Sequence, residues 1–113
     1  MELASIIEDL EYNESKPIIK VLFETSFTKE IRIAMMAGTE MKKHQTSFPI
    51  VVQMVEENLD FGINNEILDL KKGDLIALDG GVPHDLKAKL DSVMRLTLTK
   101  NDQIDRVKKV LKD

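Results

Sequence analysis

Along most of this chain, short apolar and β-branched runs are separated by polar turn residues. The runs KPIIKVLFE and TKEIRIAMM are rich in β-branched residues, and the polar gap ETSFT separates them. In the second run Ile31, Ile33 and Met35 alternate with other residues, the period-two pattern of a strand with one buried face. These two runs therefore predict two strands.

The same rhythm continues to residue 99. IVVQMVEENLDFGI reads as an extended stretch broken near Glu57, and Gly62, Asn64 and Asn65 supply turn residues that tolerate positive φ, which predicts a hairpin. EILDL, LIAL, DLKAKL and VMRLTLT follow as short strands with Gly, Asp or Pro between them. Turn signals about every eight to twelve residues are typical of an all-β sandwich or barrel, so we predict an all-β domain of one of these two kinds over residues 16–99.

Residues 1–15 form an N-terminal extension with a different pattern. Leu3, Ile6, Ile7 and Leu10 are spaced by three or four residues and would share one face of a helix. A short helix is the prediction here, with a strand as the alternative.

Residues 100–113 switch to the helical period. Ile104, Val107, Val110 and Leu111 form an apolar stripe, and Asn101 is a good N-cap residue. This predicts a C-terminal amphipathic helix that packs on its own barrel or on a partner subunit.

Composition narrows the function classes. The 113 residues suit one domain, and the net charge of -4 with a pI near 5.2 argues against a nucleic-acid partner. The absence of cysteine excludes disulfides, thiolate metal sites and cysteine nucleophiles. The first residues lack the basic and apolar regions of a signal peptide, and no run is long enough to cross a bilayer, so we expect a cytoplasmic protein without membrane contact.

Two histidines, His44 and His84, carry the candidate chemistry. Gly38 precedes the first by six residues, and Gly81 with Pro83 leads directly into the second. A lone histidine beside a turn is more often structural than functional. Two histidines in comparable settings, each just after a strand and a turn, raise the hypothesis of a shared pocket.

On these residues the sequence resembles the cupin superfamily, whose motifs are G(X)5HXH(X)3,4E(X)6G and G(X)5PXG(X)2H(X)3N. Gly38 and His44 match the first motif, and Gly73, Gly81 and His84 match the second. GDLIALDGGVPH is the most family-like stretch, and the resemblance covers roughly residues 17–99. It implies a double-stranded β-helix, the cupin jelly-roll barrel, with the two histidines facing each other inside.

The chain departs from the motifs at several ligand positions. Thr46 stands at the second histidine, Ile50 or Val51 at the glutamate, and Ala88 at the asparagine. Metallocupins similar to this chain usually hold a metal with three histidines and a glutamate, whereas this chain offers two imidazoles. The resemblance therefore implies at most a weakly held divalent transition metal (Zn, Ni, Fe, Mn or Cu) on His44 and His84.

Three hypotheses follow for the function. In the first, the barrel binds a small organic ligand without strong catalytic activity. In the second, a metal-dependent enzyme of oxygenase or isomerase type uses the two histidines. In the third, the barrel is packed shut and has a structural role. The resemblance implies a homodimer under each, and the predicted pocket residues are His44, Thr46, Gln53, Met54 and His84.

Overall fold

The structure, a computed structural model, describes residues 1–100, and these residues form nine β-strands and no helix. The described part therefore contains no helix long and apolar enough to cross a membrane. The strands are Ile18–Glu24 (β1), Thr28–Met35 (β2), Glu40–His44 (β3), Ile50–Glu56 (β4), Leu59–Ile63 (β5), Glu66–Leu70 (β6), Leu75–Leu78 (β7), His84–Ala88 (β8) and Ser92–Thr99 (β9). The all-β prediction is confirmed, and β3 is a strand that the sequence pattern did not reveal.

The strands form two antiparallel sheets that enclose one core. The five-stranded sheet has the order β1-β2-β9-β4-β7, and the four-stranded sheet has the order β3-β8-β5-β6. Along β4, Ile50, Val52 and Met54 are buried and alternate with Val51, which is 37% exposed. This alternation places every second side chain between the sheets, where apolar burial stabilises the fold.

Positive-φ residues mark the tight turns. Asn64 and Asn65, at φ 52° and 62°, form the two-residue connection between β5 and β6, as a type I′ hairpin requires. Gly38 and Gly73 have φ of 91° and 93°, values at which a residue with Cβ would be strained. The predicted hairpin is confirmed.

The helix predicted for the N-terminal extension is wrong, and no strand forms there either. Leu3 and Ile7, two residues of the expected stripe, are 91% and 57% exposed. The Ser5 hydroxyl instead accepts hydrogen bonds from the backbone N–H groups of Ile7 and Glu8, at 3.3 Å and 3.1 Å. These are the bonds of a serine N-cap, but the turn that they begin ends at Asp9, whose φ of 54° lies outside the range of a right-handed helix.

A reason for the missing helix lies in the sheet beneath the extension. Arg32 on β2 is only 3% exposed, and its guanidinium donates to the backbone carbonyls of Ile6, Glu8 and Asp9 at 3.4, 2.8 and 3.2 Å. These carbonyls bond to a side chain 23 to 26 residues away in sequence rather than to a helical amide. The contact attaches the extension to the outer face of the five-stranded sheet.

The helix predicted for residues 100–113 lies outside the described residues, apart from Lys100. That residue follows β9, and its backbone N–H donates to the carbonyl of Phe27 at 3.0 Å. The predicted helix therefore stays a prediction.

Replacing Arg32 by alanine should release the N-terminal extension. The variant loses three charge-assisted hydrogen bonds, so we expect its free energy of unfolding to fall by about 2 kcal/mol. Residues 1–15 should also become easier to cleave. Thermal unfolding and limited proteolysis measure the two effects.

The matched control is Lys20→Ala, because Lys20 is the exposed cation paired with Arg32 across β1 and β2. Equal stability and equal cleavage in both variants would show that Arg32 does not anchor the extension.

Candidate functional site

His44 and His84 face each other across the β3–β8 pair. They are direct Cα partners in the antiparallel register. Their ring centroids lie 4.3 Å apart with an interplanar angle of 60°, an edge-to-face arrangement. His84 is 4% exposed and His44 is partly buried, so the pair lies inside one end of the barrel.

A β-bulge in β3 brings His44 into this position. Met41 pairs with Leu86, and the next pair is His44 with His84, so three steps along β3 match two along β8. The extra residue lets both Met41 and His44 face the interior although an odd number of steps separates them. Without the bulge, alternation would point His44 outward.

Both imidazoles use Nδ1 in the same way. His44 Nδ1 lies 2.7 Å from the carbonyl oxygen of Lys42, in the bulge, and His84 Nδ1 lies 3.1 Å from that of Val82. A carbonyl oxygen only accepts hydrogen bonds, so each Nδ1 carries the proton and donates it. In each neutral ring Nε2 therefore keeps its lone pair.

His84 is held in the neutral form by its surroundings. Burial lowers the pKa of His84, and a charge on His44 would lower it further, while the Val82 carbonyl and Asp85 act in the opposite direction. Phe61, a fully buried residue, stacks on the ring with centroids 5.5 Å apart and planes within 5°. An apolar ring over one face leaves little water to solvate a charged imidazole.

The space beside the two histidines is small. Its volume is about 20 Å³, and its walls are otherwise apolar, including Met41, Phe61 and Met94. A volume of this size holds about one water molecule. A water-sized guest would meet two imidazoles and hydrocarbon or thioether walls.

Three of the predicted pocket residues do not reach this space. Gln53 lies on the outer face of the sheet, where its Oε1 accepts from Arg95 Nε at 3.2 Å. The prediction for Gln53 is wrong because Ile50, Val52 and Met54 take the inward positions of β4.

The other two also lie away from the cavity. The Thr46 hydroxyl donates to the Phe48 carbonyl at 2.9 Å, within its own loop, and Thr46 forms no part of the cavity wall. Met54 faces the core and is fully buried, but its side chain forms no part of the cavity wall. Most of the apolar wall residues, among them Ile33, Phe61 and Leu96, were missing from the predicted pocket, and the period-two alternation of β2, β5 and β9 was the available signal.

The rim of the site is a contact between two loops. The Gly81 N–H donates to the Thr46 carbonyl at 2.7 Å, which links the segment after His44 to the segment before His84. At Gly80 a Cβ would lie 2.4 Å from the Ser47 carbonyl oxygen, so only glycine allows this approach.

The four-ligand metal set of the cupin motifs does not fit this site. Ile50 contributes an apolar wall, and the Thr46 hydroxyl is directed to a carbonyl. Among residues 1–100, no group of three or more His, Cys, Asp or Glu side chains could hold a metal. The donor set is two imidazoles, one fewer than the three protein ligands of most catalytic zinc sites.

Adding a methyl group at the rim should loosen the site. In Gly80→Ala the new Cβ meets backbone atoms of Ser47, so we expect a loss of about 1–3 kcal/mol in the free energy of unfolding. Chemical denaturation measures this loss of free energy of unfolding.

Gly62→Ala is the matched control, since the atoms nearest to its new Cβ belong to the Asp85 carboxylate, a side chain that can rotate away. An equal loss in both variants would contradict the role of the rim contact.

Stability should depend on pH through His84. The folded state resists protonation of His84, whereas the unfolded chain takes up that proton near the ordinary pKa of 6.5. Because the unfolded state binds more protons in this range, the free energy of unfolding should be level above about pH 6.5 and fall as the pH drops from there toward the lower folded-state pKa. Urea denaturation at several pH values measures the slope, which His84→Gln should reduce. An unchanged slope in His84→Gln would assign the pH dependence to other groups.

Comparisons with known proteins identify the fold that carries this site. No family model matches the chain, and no curated protein matches it. An RmlC-like cupin protein from Desulfovibrio desulfuricans is similar in structure, with a TM-score of 0.80, 16% sequence identity, and coverage of 88% of this chain and 96% of that chain.

Two further solved structures agree. The protein TT1209 from Thermus thermophilus has a TM-score of 0.78 at 18% identity, covering 88% of this chain and 98% of that chain. An uncharacterised conserved protein with a double-stranded β-helix domain from Klebsiella pneumoniae has a TM-score of 0.76 at 17% identity, covering 88% and 89%. The likeness confirms the predicted jelly-roll barrel, and the protein therefore has the fold of the small RmlC-like cupins.

Proposed function

We propose that this protein is a cupin-fold binding protein that holds one transition-metal ion between Nε2 of His44 and Nε2 of His84. The observation that carries the proposal is the matched Nδ1 bonding, at 2.7 Å to the Lys42 carbonyl and 3.1 Å to the Val82 carbonyl. Metal-ligating histidines characteristically donate their other ring nitrogen to such a carbonyl, which fixes the tautomer and the ring orientation.

The neutral state of His84 supports the same proposal. A metal binds the deprotonated nitrogen, and the lowered pKa of His84 keeps that nitrogen free of a proton at neutral pH. Imidazole donors suit Zn, Cu, Fe and Ni better than Mn, which prefers oxygen ligands. Two protein ligands predict weak binding, with water or a small ligand completing the coordination.

The volume of the cavity favours an ion over an organic molecule. Pockets for drug-sized ligands measure about 300–1,000 Å³, whereas the space at the histidines is about 20 Å³. An organic ligand would require the apolar walls to move apart, or would bind at the mouth through the metal. Organic-ligand binding, a homodimer and a cytoplasmic location stay predictions.

Catalysis by a bound metal has less support. Such an ion would supply Lewis acidity or redox chemistry, but the described site offers neither a third protein ligand nor a carboxylate beside the imidazoles. We therefore propose binding without a defined reaction.

Metal titration tests the proposal. Isothermal titration of the metal-free protein with Zn(II), Ni(II) and Cu(II) should give one site per chain, weakened at least tenfold in His44→Ala and in His84→Ala. Binding should also weaken at acidic pH, because protons compete for Nε2. Circular dichroism establishes that the variants fold.

The matched controls are Thr46→Ala and Gln53→Ala, whose side chains bond elsewhere. Both should bind metal as the wild type does. Failure of all three metals to bind, or equal binding in the double histidine variant, would refute the proposal.

A further inference from the structure

The cavity beside His44 and His84 also has two methionine side chains in its wall. Met41 lies on β3 and Met94 on β9, so each of the two sheets contributes one methionine. A thioether sulfur keeps lone pairs and is a soft donor for metals. The wall therefore holds four side chains with a donor atom, two imidazoles and two thioethers.

The rest of the wall is hydrocarbon. Among the described residues that line the cavity, no side chain carries an oxygen atom, and the six others are Ile33, Ile50, Val52, Phe61, Leu86 and Leu96. Hard cations such as Mg²⁺, Ca²⁺ and Mn²⁺ bind through oxygen ligands. The donor atoms of this wall therefore favour a soft or borderline ion.

The volume of the cavity restricts the ion further. Zn(II) takes four ligands, chosen from thiolate, imidazole and carboxylate, so two imidazoles leave two of its positions to water. The cavity measures about 20 Å³ and holds about one water molecule. A divalent ion inside it would be short of ligands, which agrees with weak binding of such ions. A softer ion can complete its coordination with the two sulfurs and needs no water.

The charge of the site favours a monovalent ion. Neutral imidazoles and thioethers leave the whole charge of a bound ion without a compensating anion. The Born cost of burying an ion rises with the square of its charge, so it is about four times as large for a divalent ion as for a monovalent one. His84 and Met94 are both buried, so water reaches this end of the barrel poorly.

We infer that the ion of the proposed site is monovalent copper, Cu(I), held by the two imidazoles together with the thioether sulfurs of Met41 and Met94. The inference rests on the proposed function, because it takes both histidines as ligands. Thioether donors select Cu(I), and imidazole also suits copper. For a divalent ion the number of protein ligands stays two, whereas for Cu(I) the two sulfurs raise it to four.

Competition titration under anaerobic, reducing conditions tests the inference, with a colorimetric Cu(I) chelator as the competitor. The wild-type chain should bind one Cu(I), at least about a hundredfold more tightly than it binds Zn(II). Met41→Leu and Met94→Leu should each weaken Cu(I) binding about tenfold and change Zn(II) binding less than about twofold, because leucine keeps the volume and removes the sulfur.

The matched control is Met54→Leu. Met54 is fully buried and pairs with Met94 across β4 and β9, yet it forms no part of the cavity wall. This variant should bind Cu(I) as the wild type does. X-ray absorption of the copper-loaded proteins should detect sulfur bonded to copper in the wild type and in Met54→Leu, and less of it in the two test variants. Thermal unfolding establishes that each variant folds.

The results distinguish failure of this inference from failure of the proposed function. Equal Cu(I) affinity in the three methionine variants would overturn the inference and assign the methionines to packing alone. A wild-type affinity for Cu(I) no higher than that for Zn(II) would overturn it as well, and in both cases the two-histidine site stands. If the wild type binds neither Cu(I) nor Zn(II), the inference and the proposed function both fail.

Discussion

The pairing of β3 with β8 determines which side chains meet inside one end of the barrel. A shift of one residue in an antiparallel pair moves every side chain to the other face. In β3 the single extra residue between Met41 and His44 makes this shift locally, so the strand keeps an apolar wall residue and a histidine on the same side. The bulge also supplies the Lys42 carbonyl that orients the His44 ring. One local irregularity therefore sets both the position and the tautomer of the candidate ligand.

Most of the fold could be predicted because alternation and turn chemistry are local. The runs that became β2 and β9 show the period-two pattern directly, those that became β1 and β4 are nearly continuous apolar stretches, and Asn64 with Asn65 identifies the hairpin. β3 was missed because Glu40, Lys42 and Lys43 make its sequence polar, and the bulge interrupts its alternation. The N-terminal extension was predicted wrongly because its carbonyls bond to Arg32, a partner that no local pattern reveals.

The candidate site was less predictable than the fold. The resemblance implied that His44 and His84 face each other. The orientation of Gln53, in contrast, depends on whether the odd-numbered or the even-numbered residues of β4 face the core. Because the neighbours of Gln53 on both sides are apolar, the sequence alone allowed either orientation of β4. On the outer face Gln53 joins a polar cluster in which Arg95 lies 3.6 Å from the Glu30 carboxylate and Thr97 donates to the same group. Glu30 is only 8% exposed, and a buried carboxylate needs such partners, which explains why this face rather than the core takes the amide.

The size of the cavity links packing to function. Phe61 stacks on His84, and together with Met94 and the other apolar walls it reduces the space beside the imidazoles to about 20 Å³. The same packing removes water from the His84 ring and lowers its pKa. Close packing therefore excludes larger molecules and, at the same time, keeps the ring in the form that coordinates a metal. Because one fold can host many chemistries, the fold alone does not decide between binding of an ion and binding of an organic molecule. In this protein the filled barrel interior and the two anchored imidazoles together favour a small ion over an organic substrate.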